Sequence, residues 1–441
     1  MTTLKKIDKD SVEGAESSLN LFELPVTNVS INKSATRELL PLSTIAQEGP
    51  YLFRIFADNQ FVDLSKTWLY LQTSIEKKTE GGEWVSIEKT NKNVGVCQNI
   101  GQSFVRQLKI SLNNVECFDS GNLYAFRAYI LQELSRSTEV RKGLYEAYGY
   151  FPDDNDQNNV DGSGFQARVK KYSEGSVVET MVKLDFDLAQ QENLILNNTD
   201  IIFTIYRNPD QFLILALEPN DNTEYRVKVH NIKLYVRTVD VTQSLNNAIS
   251  RHLEKTPAKY ALRKIVVRNF FAGKGRTEFS HNVFNSVCPR RMIIGFVSSD
   301  AFTGSQKLSP FVFEHANIRS LSVEANGLTY PSTPYDLDFK KGKYLKAFVD
   351  LYAGLGLDSS NQTCGISMYR FTKAWCFFVI NMQSTLDDST GFELIRNGSA
   401  TIKAIFNEPI KDIGYEMIVL AEFDQILALD GSRVLTADGS V

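Results

Sequence analysis

Residues 104–134 read FVRQLKISLNNVECFDSGNLYAFRAYILQEL, and this stretch decides the fold. Phe104, Arg106, Leu108, Ile110 and Leu112 share one side of an extended chain, and Val105, Gln107, Lys109 and Ser111 take the other. Mostly apolar against polar at a period of two predicts a half-buried strand. Asn113-Asn114 predicts a tight turn, because asparagine tolerates left-handed backbone angles. After Val115–Phe118 the period changes: Leu123, Phe126, Ile130 and Leu134 recur at helical spacing, with Ser120 or Asn122 as candidate cap. The unit is strand, turn, short strand, helix.

The same order returns at residues 318–352, IRSLSVEANGLTYPSTPYDLDFKKGKYLKAFVDLY. Leu321 and Val323 alternate with polar neighbours, and Asn326-Gly327 suits a type I′ hairpin. Tyr344, Phe348, Leu351 and Tyr352 then form a helical stripe. A second pair supports duplication. Leu194, Asn197 and Pro209 match Leu394, Asn397 and Pro409, each pair 200 residues apart. The apolar runs DIIFTIY and ATIKAIF lie between an Asn-led turn (Asn197-Asn198, Asn397-Gly398) and a proline. Proline cannot donate to a sheet ladder, so it marks a strand end. Two ordered matches predict two copies of one all-β domain.

The chain has 441 residues, enough for two cores, and a net charge of −4, which makes the whole chain no nucleic-acid polyelectrolyte. No apolar run is long enough to span a bilayer, and MTTLKKIDKDSVEGAESS lacks the apolar core of a signal peptide. Cys97, Cys117, Cys288, Cys364 and Cys376 are odd in number and scattered without a CxxC, which predicts reduced thiols. The sequons beginning at Asn28, Asn32, Asn197, Asn361 and Asn397 read as turn asparagines.

Short β-branched and aromatic runs separated by turns predict strands through most of the chain. Gly81-Gly82 predicts a hairpin tip. Residues 149–175 are rich in Asp, Asn and Gly and predict a solvated surface loop. Asp154, Asp156 and Asn158 match three positions of a calcium loop, but Asn159 stands where glycine is required and Phe165 where the closing glutamate belongs, so no calcium site is expected. Leu245, Ile249 and Leu253 predict a short amphipathic linker helix that ends before Pro257. The expected organisation is an N-terminal flexible arm (1–20), a first jelly roll (21–240), a linker (241–258), a second jelly roll (259–430) and a tail (431–441). Eight-stranded antiparallel sandwiches suit domains of this size with long loops between strands.

Catalytic signatures are missing. His230, His252, His281 and His315 have no partner at metal-ligand spacing. Gly273-Lys274-Gly275 lacks the flanking residues of a phosphate loop and reads as a hairpin tip. A carboxylate pair in a cleft, and hence an enzyme on a sandwich scaffold, is the rival that composition leaves open. Basic residues cluster at Arg263, Lys264 and Arg268, with Lys274 and Arg276 following, at Arg290-Arg291, and at Lys340, Lys341, Lys343 and Lys346. They read first as solvated faces, and secondly as a basic inner or interface surface. No catalytic residue, metal, cofactor or small-molecule substrate is expected.

HLEKTPAKYALRKIVV (residues 252–267) and CPRRMIIGFVSSDAFTGS (288–305) resemble the major capsid proteins of Maverick/Polinton elements and adintovirus-like viruses. So do the Asn-Gly turn with Tyr330-Pro331, the segment VLAEFDQILALD (419–430) and the helix NLYAFRAYILQEL (122–134). The resemblance spans roughly residues 21–430 and leaves out residues 149–175 and the ends. That family is similar to virophage capsid proteins and, more distantly, to the adenovirus hexon lineage. The resemblance implies a double jelly roll that forms a homotrimer, with long loops at the outer end. Expected partners are neighbouring capsomers, penton and other minor capsid proteins, and weak contact with packaged DNA. The expected place is the virion capsid, assembled inside the host cell and not secreted. The rival reading of a β-sandwich binding module takes a receptor or a carbohydrate as partner.

Overall fold

The computed structural model describes residues 6–14, 16–88, 91–383, 391–392, 394–411 and 413–438. The outermost parts of the expected arm and tail, 1–5 and 439–441, lie outside the described residues. The first half contains β1 (Ile31–Leu39), β2 (Tyr51–Ile55), β3 (Phe61–Lys78), β4 (Trp84–Ser86), β5 (Val94–Val96), β6 (Val105–Leu112), β7 (Val115–Asp119), β8 (Val178–Lys183), β9 (Ile201–Arg207), β10 (Ile214–Ala216) and β11 (Tyr225–Val241). The second contains β12 (Ala258–Ala272), β13 (Glu278–Phe284), β14 (Arg291–Ser298), β15 (Ile318–Ala325), β16 (Leu328–Tyr330), β17 (Phe378–Asn381), β18 (Ala400–Phe406), β19 (Tyr415–Leu429) and β20 (Leu435–Asp438).

In the first half β1-β11-β3-β8 form one sheet and β2-β9-β6-β7 the other; β4 extends the first sheet, and β5 and β10 pair separately. In the second half the sheets are β12-β19-β14-β17 and β13-β18-β15-β16, with β20 added beside β19. Leaving out β4, β5, β10 and β20 and counting in chain order, both halves read 1-8-3-6 and 2-7-4-5. Every pairing between these strands is antiparallel. Two facing four-stranded sheets in this order make a jelly roll, and the chain contains it twice. Alternate strand residues fill each core, as in β9, where Ile201, Phe203 and Ile205 are buried between half-exposed neighbours.

The hairpins built on Asn113-Asn114 and Asn326-Gly327 fall at the same place, between the fourth and fifth strands of each roll. Both residues of each turn have positive φ (49° and 66°; 51° and 75°), the left-handed region that asparagine and glycine tolerate. The 200-residue offset shifts slightly in space: Leu112 faces Ile201 and Ala325 faces Ala400. The turn before β9 is therefore one residue longer than the turn before β18. Pro209 stands two residues past the end of β9 and Pro409 three past the end of β18.

Several expectations require correction. Arg106 does not share the buried side of β6. The pairing with β9 slips between Val105 and Gln107, and this bulge buries Val105 and turns Arg106 outward. Neither Ser120 nor Asn122 caps the following helix, Tyr124–Ser135. The Ser120 hydroxyl instead accepts from the Leu108 amide at 2.9 Å, tying the helix entry to β6. At the Gly81-Gly82 tip only Gly82 has positive φ, because the loop closes one residue wider, from Thr79 to Glu83. Residues 149–175 are not simply a solvated loop: Ser163–Tyr172 is a helix that buries Phe165, Val169 and Tyr172. Asp154 accepts from the amide and hydroxyl of Ser163 at 2.8 and 2.9 Å and so holds that helix's first turn. The linker helix runs Gln243–Leu253 and stops before Pro257. No described helix is long and apolar enough to cross a membrane.

Candidate functional site: the junction and the two turn ends

The two rolls are joined by buried polar and aromatic contacts. Arg127, on the Tyr124–Ser135 helix, is buried and donates to Asp187 at 2.8 Å, to Asp185 at 3.3 Å and to the Ile265 carbonyl of β12 at 2.9 Å. Burial pushes the Asp187 carboxyl up, and the Arg127 charge opposes that shift. Tyr129 stacks on Phe311 at 4.3 Å between ring centroids, and Phe126 stacks on Phe302 at 5.3 Å. The long β7–β8 and β16–β17 connections also meet: Arg141 bonds the Cys364 carbonyl while paired with buried Glu133, which accepts from Tyr150 at 2.8 Å. Arg168 pairs with buried Asp153 at 2.8 Å and holds the Ser163–Tyr172 helix in place. Each of these buried charges has an opposite charge beside it, which offsets the cost of burial, although the Arg141 Nε has no hydrogen-bond partner. They carry no periodic signal and were not foreseen from the sequence.

The turn ends of the rolls differ. In the first, Asn113 exchanges two 2.8 Å bonds with Asp200, and its side-chain amide donates to the Arg433 carbonyl at 2.9 Å. Arg433 in turn donates to the Asn197 carbonyl and side-chain oxygen, both at 2.8 Å. Asn197 also donates to Asn246 of the linker helix at 3.0 Å. The Tyr260 hydroxyl bridges the Leu194 carbonyl and the Leu196 amide at 3.2 and 3.3 Å, and burial lifts its pKa to about 12. Tyr260 and Asn246 follow the first roll in sequence, and Arg433 comes from the turn between β19 and β20; all three close over it.

In the second roll Asn397 bridges Val287, and Gly398 donates to Ser286 at 3.0 Å. Gly398 has a φ of 146°, and a Cβ there would lie 1.8 Å from the Asn326 side-chain oxygen, so the turn requires glycine. Beside it opens a cleft of about 160 Å³ lined by Cys288, Leu328, Met382, Leu394 and Ile395. Leu394 is 89% exposed and Ile395 54%, whereas Ile195 and Leu196 of the matching segment are 0% and 5% exposed.

The basic candidates do not form one open face. Arg263 pairs with Asp424, and Arg291 grips Glu422 at 2.5 and 3.1 Å. With Arg290, which is buried, they line a polar cleft of about 850 Å³ between the rolls. Lys264 and Arg268 stand apart from that cleft: burial lowers the Lys264 pKa, and Arg268 bonds the Val283 carbonyl. Neighbouring carboxylates of β19 and of the β9 approach had no sequence spacing that announced them.

The histidines are dispersed. His230 bonds Ser74 at 2.8 Å, His252 is exposed on the linker helix, His281 packs between Phe270 and Phe279, and His315 stacks on Phe339. Among the described residues no three His, Cys, Asp or Glu side chains gather as a metal site.

No protein-family profile matches the chain. It is similar to the Caenorhabditis elegans protein F54H12.2, with 27% identity over 428 residues covering 95% of this chain and 100% of that protein. Among solved structures it is similar to a chain of the Sputnik virophage, at TM-score 0.64 and 12% identity, covering 98% of this chain and 94% of that one. It is similar to a chain of the PBCV-1 virus capsid, at TM-score 0.58 and 9% identity, covering 95% and 100%. It is also similar to the mavirus major capsid protein, at TM-score 0.56 and 11% identity, covering 99% and 97%. The fold is a double jelly roll. The strand order repeated in the two halves and the near-complete coverage of these chains agree on it.

Proposed function

We propose that the chain is a viral or virus-derived major capsid protein, non-enzymatic, that acts by self-assembly. The repeated strand order carries this reading. Three copies of a chain with two similar wedges present six similar wedges, so a three-fold object gains a near-hexagonal outline. Closed symmetry keeps the trimer finite, and heterologous contacts between trimers extend the lattice into an icosahedral shell around DNA. Each lateral contact can be weak because many act together. The likeness to virophage, PBCV-1 and mavirus capsid chains supports it.

In this reading the rolls span residues 21–240, counting the exposed lead into β1, and 259–430, the linker 241–258, and the arm and tail lie at 1–20 and 431–441. The protein works in the virion shell after assembly inside the host cell, whether in nucleus or cytoplasm, beside penton and minor capsid proteins and in weak contact with DNA. The C. elegans relative, matched over its full length, favours a second reading in which an animal genome carries the chain as a capsid-derived protein. Light scattering on the purified protein, followed by electron microscopy, tests the proposal. Trimers and closed particles are expected. A strict monomer at high concentration, without particles, refutes it.

A further inference from the structure

We infer that residues 19–29 of one copy of this chain cover the cleft at the turn end of the second roll of another copy. The inference rests on the trimer reading above. It starts from the occupied counterpart. Over the first roll, Leu194–Asn197 is met by the linker helix that leads into β12, by Tyr260 near the start of β12 and by the Arg433 turn. Along the linker helix Leu253 is buried, with its backbone and Cβ beside Gly431, and Leu245 and Ile249 are half-buried. The corresponding segment of the second roll, Leu394–Asn397, is exposed, and no element among the described residues covers it in the same way.

The strand equivalent to β12 is β1, since both open the same sheet beside the last strand of their roll. In a ring of alternating first and second rolls, the element that should close the second roll is therefore the segment leading into β1 of the next copy. That segment has the composition required. Leu21, Phe22, Leu24 and Val26 are 75%, 95%, 90% and 100% exposed, a run of apolar side chains with no cover of its own. Residues 19–29 fully extended reach up to about 36 Å, enough to leave the parent roll. Glu23 lies within the run, and the cleft lining carries Arg290, Arg396 and Asp424 beside its apolar residues. The occupant is an extended apolar peptide with one acidic residue, supplied by a second copy.

Cys288 lines the cleft and provides a native reporter. Leu21→Cys, Phe22→Cys and Leu24→Cys are made singly in the full chain and oxidised with copper phenanthroline. A ladder of disulfide-linked dimers and trimers is expected from at least one of them, and Cys288→Ser should abolish it. A second variant, Leu394→Ser with Ile395→Ser, alters side chains that are exposed in the single chain and leaves its fold intact. It should raise the concentration at which trimers dissociate by roughly tenfold per side chain removed. Wild-type trimers that yield no cross-link at any of the three positions overturn the inference and leave the capsid reading standing. A cross-link that remains within one chain overturns it too, since the occupant would then be the chain's own arm. A wild-type protein that is only monomeric overturns both.

Discussion

Leu194-Ile195-Leu196-Asn197 and Leu394-Ile395-Arg396-Asn397 introduce equivalent strands of equivalent rolls, yet one is buried and the other lies open. The difference does not come from the strands, whose order is the same. It comes from what the chain does next. After the first roll it continues into the linker helix, and the Arg433 turn folds back to close the same end. The duplicated sequence specifies the framework, and the connections decide which copy of a surface meets solvent.

The largest test concerns the join between the rolls. Arg127→Ala leaves Asp187 buried without its partner and should cost about 3–5 kcal/mol in denaturant unfolding. A loss confined to a few tenths would mean that the halves behave as independent bodies. Next, Ile195→Ala should cost about 2–5 kcal/mol, while Ile395→Ala in the single chain should stay within about 0.5 kcal/mol. Equal losses would erase the contrast between the two ends. Gly327→Ala places a Cβ in open space, so only the positive φ opposes it. A loss of about 1 kcal/mol is expected, read as a shift in unfolding midpoint. The smallest effect is that of Tyr260→Phe, which removes the bonds to Leu194 and Leu196 and should cost about 0.5–1.5 kcal/mol. No change would show that the linker covers the first roll by packing alone.

The duplicated rolls were legible because their markers are local. Asn113-Asn114 and Asn326-Gly327 fix backbone angles within two residues, and the period of β9 and β18 follows from one buried face. Arg106 misled because a bulge changes which side a residue faces without leaving a trace in the alternation. The Ser163–Tyr172 helix was hidden by the Asp- and Asn-rich run before it, although Phe165, Val169 and Tyr172 do lie at helical spacing. The partners of Arg127, Arg141 and Arg433 were not legible at all. Arg433 and Asn197 are 236 residues apart, and only the closed topology brings them together. The same holds for Arg263, Arg290 and Arg291, which read as a basic cluster until β19 supplies Asp424 and Glu422.

The junction at Arg127, Tyr129 and Phe311 has a mechanical consequence. A buried ion pair locked to a neighbouring backbone, beside stacked rings, resists a change of angle between the rolls far more than an exposed linker would. Each chain is then a stiff elbow of fixed opening. Any curvature in a surface tiled by such elbows must be taken up at the seams between copies, where contacts are many and individually soft.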